Sequence, residues 1–207
     1  MTAVVLYGPP TAGKDTVTAA LCAADARFQL LTKLKQGTGR PTGYRVVTED
    51  ELRELRQRRR ILVETRRYGN IYAVDRHSLE EPQRHGLVPV AHMGNITDLR
   101  TLLANTETQW LRVLLWVPRA VCEDRSRQRG DTDTVKRLKA WDETAQDILD
   151  SDLRDLFDMV MRTDTVEPRE AAEKIAAMVE SPAPARLPEE LRAVLEPVTW
   201  RPARPSR

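Results

Sequence analysis

The sequence predicts an α/β fold in which a parallel sheet carries helices on both faces. Apolar runs typical of strands alternate along the chain with helical patterns, the order that parallel sheets require. Residues 111–117 are almost entirely apolar, as expected of a strand covered on both faces. A glycine-containing loop follows the first apolar run and leads directly into the first helical pattern. At 207 residues, the chain is long enough for one domain with a buried core.

The alternating elements follow one another along most of the chain. The predicted strands are residues 3–7, 28–32, 87–91, 111–117 and 159–161. The predicted helices are residues 15–24, 98–105, 119–128, 134–151 and 169–179. This pattern predicts one domain over residues 1–180.

Three segments depart from the alternation. Residues 33–74 contain a glycine-rich turn and short strands at 44–47 and 61–65 around a charged helix at 49–59, which predicts an inserted subdomain. Residues 125–137 form a short, arginine-rich polar loop, and residues 181–207 are a proline-rich extension that we expect to be loosely structured.

Composition excludes several classes of protein. Apolar residues make up 41% and charged residues 31%, and the formal net charge of +2 is too small to indicate nucleic acid or membrane as a partner. No apolar run reaches membrane-spanning length, and the first residues enter a strand rather than a signal peptide. Cys22 and Cys122 fit neither a disulfide framework nor a metal-binding spacing. We therefore expect a cytoplasmic monomer or homodimer.

The loop at residues 8–14 carries the strongest chemical signal. It has the form G-x-x-x-x-G-K between a strand and a helix, the context in which backbone N–H groups and a helix N-terminus bind phosphate. Gly8 and Gly13 permit the tight turn, and Lys14 is expected to reach the β- and γ-phosphates. The residues expected to bind the nucleotide phosphates are Gly8, Thr11, Ala12, Gly13, Lys14, Asp15 and Thr16.

Asp15 occupies the position where Ser or Thr usually holds magnesium. Its carboxylate could replace that hydroxyl as a magnesium ligand, since magnesium favours oxygen ligands. Alternatively, its negative charge could repel a triphosphate and make the site degenerate. We favour the first interpretation, because the other parts of a phosphoryl-transfer site are present.

The arginine-rich loop presents Arg125, Arg129 and Arg137. Phosphoryl transfer spreads negative charge over the moving group, which a closing lid of guanidinium groups would stabilise. The competing interpretation is a solvated helix end whose charges are satisfied by nearby aspartates. The phosphate-binding loop favours the lid.

These motifs, taken with those of residues 33–74, resemble the guanylate kinase family over roughly residues 3–180. That resemblance rests on an ordered set of short motifs: the loop at 8–14, Tyr44-Arg45, Glu64, Gly69-Asn70-Ile71-Tyr72, the run from Arg125 to Gly130, and Arg137. It implies an ATP-dependent kinase that uses magnesium and acts on a small-molecule phosphate acceptor.

The resemblance also implies residue roles. Tyr44 and Tyr72 would bind the acceptor phosphate, and Glu64 would accept hydrogen bonds from a guanine edge. The lid arginines would contact the transferring phosphates. The remaining acceptor-side candidates are Lys33, Lys35, Arg40 and His92.

Departures from the family pattern leave the acceptor open. Val74 stands where a hydroxyl residue would contact guanine, and His92 replaces a strand-end carboxylate. Ribosyl bisphosphate phosphokinases resemble this chain in carrying Asp after the loop lysine, so a sugar phosphate is an alternative acceptor. A non-catalytic binding module of the same fold is the second alternative.

Overall fold

The computed structural model describes residues 2–39, 41, 43–67, 69–130, 134–151 and 156–181. Its strands are β1 (Thr2–Tyr7), β2 (Phe28–Leu30), β3 (Lys33–Gln36), β4 (Tyr44–Val46), β5 (Ile61–Arg67), β6 (Asn70–Asp75), β7 (Val88–Met93), β8 (Gln109–Trp116) and β9 (Met159–Arg162). Its helices are α1 (Lys14–Ala24), α2 (Glu49–Gln57), α3 (Arg76–Arg84), α4 (Ile96–Ala104), α5 (Arg119–Gln128), α6 (Thr134–Leu149) and α7 (Pro168–Glu180).

The main sheet has five strands in the order β2-β7-β1-β8-β9, and every pair within it is parallel. Residues Ala3–Tyr7 of β1 are fully buried, because β1 lies at the centre of the sheet between β7 and β8. The predicted α/β class with a parallel sheet is confirmed. Ligands bind at the carboxyl ends of such strands, where β1 leads into the glycine-containing loop.

A second sheet of four strands, in the order β4-β3-β6-β5, occupies the segment that the sequence sets apart. The pairs β3–β6 and β5–β6 are antiparallel, and β3–β4 is parallel. Its small apolar core contains Leu34, Val47, Leu52 and Ala73, so α2 packs through Leu52. Thr48 and Glu51 form a reciprocal capping box that fixes where α2 begins.

The sequence did not predict β3, β6 or α3. Lys33 and Lys35 flank Leu34 in β3, so the strand shows little apolar character. The α3 sequence is mostly polar and contains Pro82, and only Leu79 and Gln83 are buried on it. Both β3 and α3 depend on packing that a single-sequence pattern does not reveal.

Helix α6 is anchored to the core by two of its residues, Trp141 and Asp147. Trp141 packs on Trp116 with ring centroids 5.1 Å apart and donates its indole N–H to the Val117 carbonyl at 3.0 Å. Asp147 accepts hydrogen bonds from the Tyr7 hydroxyl at 3.1 Å and from the Ile96 N–H at 2.6 Å. Together these contacts hold α6 beside β1 and the start of α4.

The three tryptophans expected in the core, Trp110, Trp116 and Trp141, are all buried. Among the described residues, no helix is both long enough and apolar enough to cross a membrane. The proline-rich segment at 182–207 lies outside the described residues.

Candidate functional site

The glycine-containing loop turns sharply between β1 and α1. Gly13 is the N-cap of α1 with φ of 83°, a conformation that favours glycine. A Cβ on Gly8 would lie 2.2 Å from the Leu115 carbonyl oxygen, so no side chain fits there. Both glycines are therefore required by the path of the loop against β8.

Lys14 closes over this loop. Its Nζ donates hydrogen bonds to the carbonyl oxygens of Gly8 at 2.7 Å and Pro9 at 2.8 Å. Burial lowers the pKa of Lys14 to about 8, while neighbouring Asp15 acts in the opposite direction. An anion bound beside Lys14 would raise this pKa again and keep the ammonium group charged, which suits a phosphate ligand.

Asp15 and His92 face each other at the edge of the loop. The Asp15 carboxylate is 91% exposed, and its Oδ1 lies 3.6 Å from His92 Nδ1. Burial and the charge of Lys14 lower the pKa of His92 to about 4, so the ring is neutral at neutral pH and the contact is not an ion pair. His92 Nε2 is hydrogen-bonded to the Thr18 hydroxyl at 2.8 Å.

The donor set around Asp15 fits a substrate-borne magnesium ion. Magnesium keeps several waters and is commonly held by one or two carboxylates together with substrate phosphates. Asp15 supplies one exposed carboxylate at the phosphate loop, and Thr16 lines the same cleft. Among the described residues, no cluster of three or more His, Cys, Asp or Glu forms a self-contained metal site.

A cleft of about 400 Å³ opens above the loop. Groups from the second sheet, from β7 and from the predicted lid line it together with the phosphate loop. Those of interest are Lys33, Tyr44, Arg67, His92, Arg129 and Arg137. The cleft thus collects cationic side chains from sequence positions far apart, as expected of a site for phosphate groups.

Two smaller cavities adjoin the cleft, and each shares lining residues with it. One, of about 260 Å³, continues toward the second sheet and is lined by Lys33, Tyr44, Thr65, Arg67, Tyr72, Met93, Gly94, Asn95 and Asp98. The other, of about 310 Å³, lies beside α1 and is lined in part by Val17, Arg125, Gln128, Thr163 and Pro168. Phosphate groups in the central cleft could therefore carry a substituent in either cavity.

Comparison with solved structures identifies the architecture. The crystal structure of guanylate kinase from Anaplasma phagocytophilum matches with a TM-score of 0.60 and 19% sequence identity, covering 95% of this chain and 94% of that chain. The chain has a guanylate kinase-like fold. By sequence, it matches no protein-family model and no curated protein. At this identity, the likeness establishes the fold and leaves the chemistry to the residues of the site.

Within the guanylate kinase-like fold, the loop residues from Gly8 to Thr16 that were expected to bind phosphate all belong to the loop or the first turn of α1. Tyr44, His92, Arg129 and Arg137 also lie at the central cleft, with Lys33 between that cleft and the 260 Å³ cavity. Tyr72 lines the 260 Å³ cavity but not the central cleft. Arg40 lies outside the described residues.

Glu64 does not lie where the resemblance implies. Its carboxylate makes a two-pronged ion pair with Arg56 of α2, at 2.8 and 2.9 Å, on the face of β5 away from both cavities. Side chains alternate along a strand, so its neighbours Thr65 and Arg67 face the cavity instead. The expectation that Glu64 reads the acceptor is therefore corrected.

Lys35 also lies apart from the lining of the clefts. Its Nζ lies 5.8 and 6.0 Å from the ring centroids of Tyr44 and Tyr72, close enough for cation–π attraction. The two rings are themselves 5.3 Å apart. Lys35 therefore packs against the two tyrosines and does not line the described cavities, where an acceptor contact was expected.

Arg125 has a different position from that expected of a phosphate contact. Its guanidinium donates to the Thr11 carbonyl at 3.0 Å, the Thr163 hydroxyl at 3.2 Å and the Thr163 carbonyl at 2.6 Å. Thr163 in turn donates its hydroxyl to the Ala12 carbonyl at 3.0 Å. Arg125 thus ties the phosphate loop to the turn after β9, and it borders the 310 Å³ cavity.

Sequence reasoning missed four site residues: Thr65, Arg67, Asp98 and Thr163. Thr65 and Arg67 lie on the face of β5 opposite to Glu64. The sequence predicted the strand but directed the face with Glu64, rather than this one, toward the acceptor. Asp98 begins a predicted helix, a position typical of ordinary capping. No local pattern marks Thr163, whose importance depends on contacts with the distant phosphate loop.

Proposed function

We propose that the chain is an ATP-dependent phosphotransferase whose acceptor is the phosphate group of a nucleoside monophosphate or a chemically similar compound. The observation that carries the proposal is the central cleft of about 400 Å³. In it the phosphate loop faces Lys33, Tyr44 and Arg67 across the same space, while the lid supplies Arg129 and Arg137. A donor phosphate and an acceptor phosphate would meet between these two sets of groups.

The reaction needs positioning and charge stabilisation more than acid–base chemistry. An oxygen of the acceptor phosphate attacks the γ-phosphorus of ATP and forms a new P–O bond. The bond between that phosphorus and the β–γ bridging oxygen breaks, and ADP leaves with the electron pair. Lys14 and the lid residues Arg129 and Arg137 would stabilise the charge spread over the transferring group.

On this proposal, Asp15 would hold the metal of ATP–magnesium, directly or through water. Bound magnesium would neutralise charge on the β- and γ-phosphates. Neutral His92, hydrogen-bonded to Thr18, carries no positive charge that would compete with the metal for the Asp15 carboxylate. The 310 Å³ cavity beside Arg125 is the proposed place for the base of ATP.

The proposal is tested by acceptor-dependent release of ADP, measured in a coupled assay over a panel of nucleoside monophosphates and sugar phosphates. We expect Lys14→Ala to lower kcat about 100- to 1000-fold, the usual cost of removing one preorganised charge-stabilising group. Lys174→Ala is the matched control, because Lys174 lies on α7 and pairs with Glu170 at 2.8 Å. Near-normal turnover by a folded Lys14→Ala variant would contradict the mechanism.

A sugar phosphate is a second candidate acceptor, and the position of Glu64 favours it. The carboxylate that would read a guanine edge is paired with Arg56, and Val74 is buried without a hydroxyl to offer. The acceptor panel distinguishes the two candidates directly, because it shows whether ribosyl bisphosphate or guanosine monophosphate causes the release of ADP.

A further inference from the structure

The 260 Å³ cavity contains a single described carboxylate, that of Asp98 in the first turn of α4. Its Oδ2 accepts hydrogen bonds from the Thr65 hydroxyl and from Asn95 Nδ2, the latter at 2.6 Å. The Asp98 backbone N–H donates to Asn95 Oδ1 at 2.7 Å. The carboxylate is therefore held in one orientation by groups from both α4 and β5.

The remaining oxygen of Asp98, Oδ1, forms no hydrogen bond with any described residue. An ionised carboxylate has only acceptor capacity, so a ligand group that faces it must be a donor. Suitable donors are the N–H groups of a base or the hydroxyl groups of a sugar. A phosphate group would instead be repelled.

The cations near Asp98 determine where the acceptor phosphate would lie. Lys33, Tyr44 and Arg67 line both the central cleft and the 260 Å³ cavity, so they stand at the junction between the two. Lys33 donates to the His92 carbonyl at 2.5 Å rather than to Asp98. A phosphate attracted to this junction would face the donor phosphates while the rest of the acceptor extends toward Asp98.

We propose that Asp98, rather than Glu64, selects the acceptor by accepting hydrogen bonds from N–H or O–H groups remote from the acceptor phosphate. This inference rests on the proposed function, and it assigns the acceptor to phosphate esters that carry such donors. Thr65 and Asn95 are positioning residues, since they hold the carboxylate and leave Oδ1 for the ligand.

The test compares Asp98→Asn with Glu64→Gln, two carboxylates exchanged for amides of the same shape. In Asp98→Asn, an amide N–H₂ takes the place of Oδ1 and faces the N–H or O–H group of the phosphate acceptor. We therefore expect the acceptor KM to rise about 10- to 100-fold, the effect of losing a hydrogen bond to a charged group. The ATP KM should change less than twofold. Glu64→Gln should leave both KM values within twofold of the wild type.

Two pairs of acceptors show whether the hydrogen-bond donor that faces Asp98 belongs to a base or to a sugar. Guanosine and inosine monophosphates differ by one amino group, and ribose 1,5-bisphosphate and its 2-deoxy analogue differ by one hydroxyl. In the wild type, one pair should show discrimination that Asp98→Asn abolishes. Loss of base discrimination assigns a nucleotide, and loss of hydroxyl discrimination assigns a sugar phosphate; either supports Asp98 as the selecting group.

Unchanged acceptor KM in a folded Asp98→Asn variant, or a loss seen only in Glu64→Gln, would overturn the inference. If the wild type phosphorylates no compound of the full acceptor panel, the proposed function fails separately. Calorimetric binding of the same compounds to wild type and Asp98→Asn then decides the role of Asp98, and equal affinities, or no binding to either protein, would reject it. Circular dichroism of each variant shows whether it has folded.

Discussion

The position and the pKa of a residue in this site depend on neighbours that are distant in the sequence. Lys33 stands at the junction of two cavities, near the carbonyl of His92 on another sheet. Burial lowers the pKa of Lys33 to about 8, although Asp98 acts in the opposite direction. The free protein therefore loses this charge just above neutral pH.

We predict that acceptor affinity falls as pH rises above 8. The dianionic acceptor phosphate would raise the pKa of Lys33 in the complex, so binding takes up a proton between about pH 8 and that raised pKa. The dissociation constant should increase by up to about tenfold per pH unit over that range. Calorimetry measures this dissociation constant. ATP is left out so that no donor phosphate lies beside Lys14 and shifts its pKa.

Lys33→Arg is the matched variant, because arginine stays charged at every pH of the titration. Between pH 8 and 9.5 its acceptor affinity should fall less steeply than that of the wild type, because only Lys14, whose pKa is also about 8, still loses its charge there. Parallel pH profiles in wild type and Lys33→Arg would show that another group is responsible.

Pairs of elements are joined at the site by single side chains. Arg125 on α5 bonds to the phosphate loop through Thr11 and to the turn after β9 through Thr163. The acceptors are mainly backbone carbonyls, which lie partly buried and need a donor. Arg125 therefore sets the relative position of three segments around the 310 Å³ cavity.

We predict that Arg125→Met lowers the free energy of unfolding by about 1–3 kcal/mol, because the carbonyls lose their charged donor. The ATP KM should rise while the acceptor KM stays within twofold, since the affected cavity lies on the donor side. Urea unfolding and steady-state kinetics measure the two effects.

Arg127→Ala provides the control on the same helix. Arg127 is exposed and pairs with Glu123 one turn away, a contact that contributes about 0.5 kcal/mol or less. Equal losses in Arg125→Met and Arg127→Ala would mean that the link between α5 and the phosphate loop has no special role.

At the scale of the whole molecule, the site lies where the two sheets and α5–α6 approach the carboxyl end of β1. Arg67 at the end of β5 reaches within 3.9 Å of Glu143 on α6, so the second sheet and the helix after the lid approach each other across the cleft. A ligand that fills the cleft would contact all of these parts and stabilise the assembly as a unit.

We predict that ATP with magnesium raises the melting temperature of the wild type by about 5–10 °C at 100 times the dissociation constant. A ligand at that excess adds about 2.7 kcal/mol, and a chain of this size gains about 2–4 °C per kcal/mol. Lys14→Ala should show a much smaller shift. Absence of any shift in the wild type would favour the interpretation as a non-catalytic binding module.

Much of the fold followed from local pattern. The alternation of apolar runs and helices predicted the parallel sheet, which the structure has, and a glycine pair with Lys14 predicted an anion site at the end of β1. These features are accessible because strand periodicity, helix periodicity and turn conformation depend on residues close together in the chain. The polar elements β3 and α3 lacked such a signal.

The sequence alone determined that this protein is an α/β molecule with a loop suited to phosphate. The tertiary structure decided which side chains face that loop. It turned Glu64 toward Arg56, brought Thr65 to Asp98, and engaged Arg125 with backbone carbonyls. The physical reason is that period and propensity are local, whereas the face a strand presents and the partner a charge finds depend on packing between distant segments.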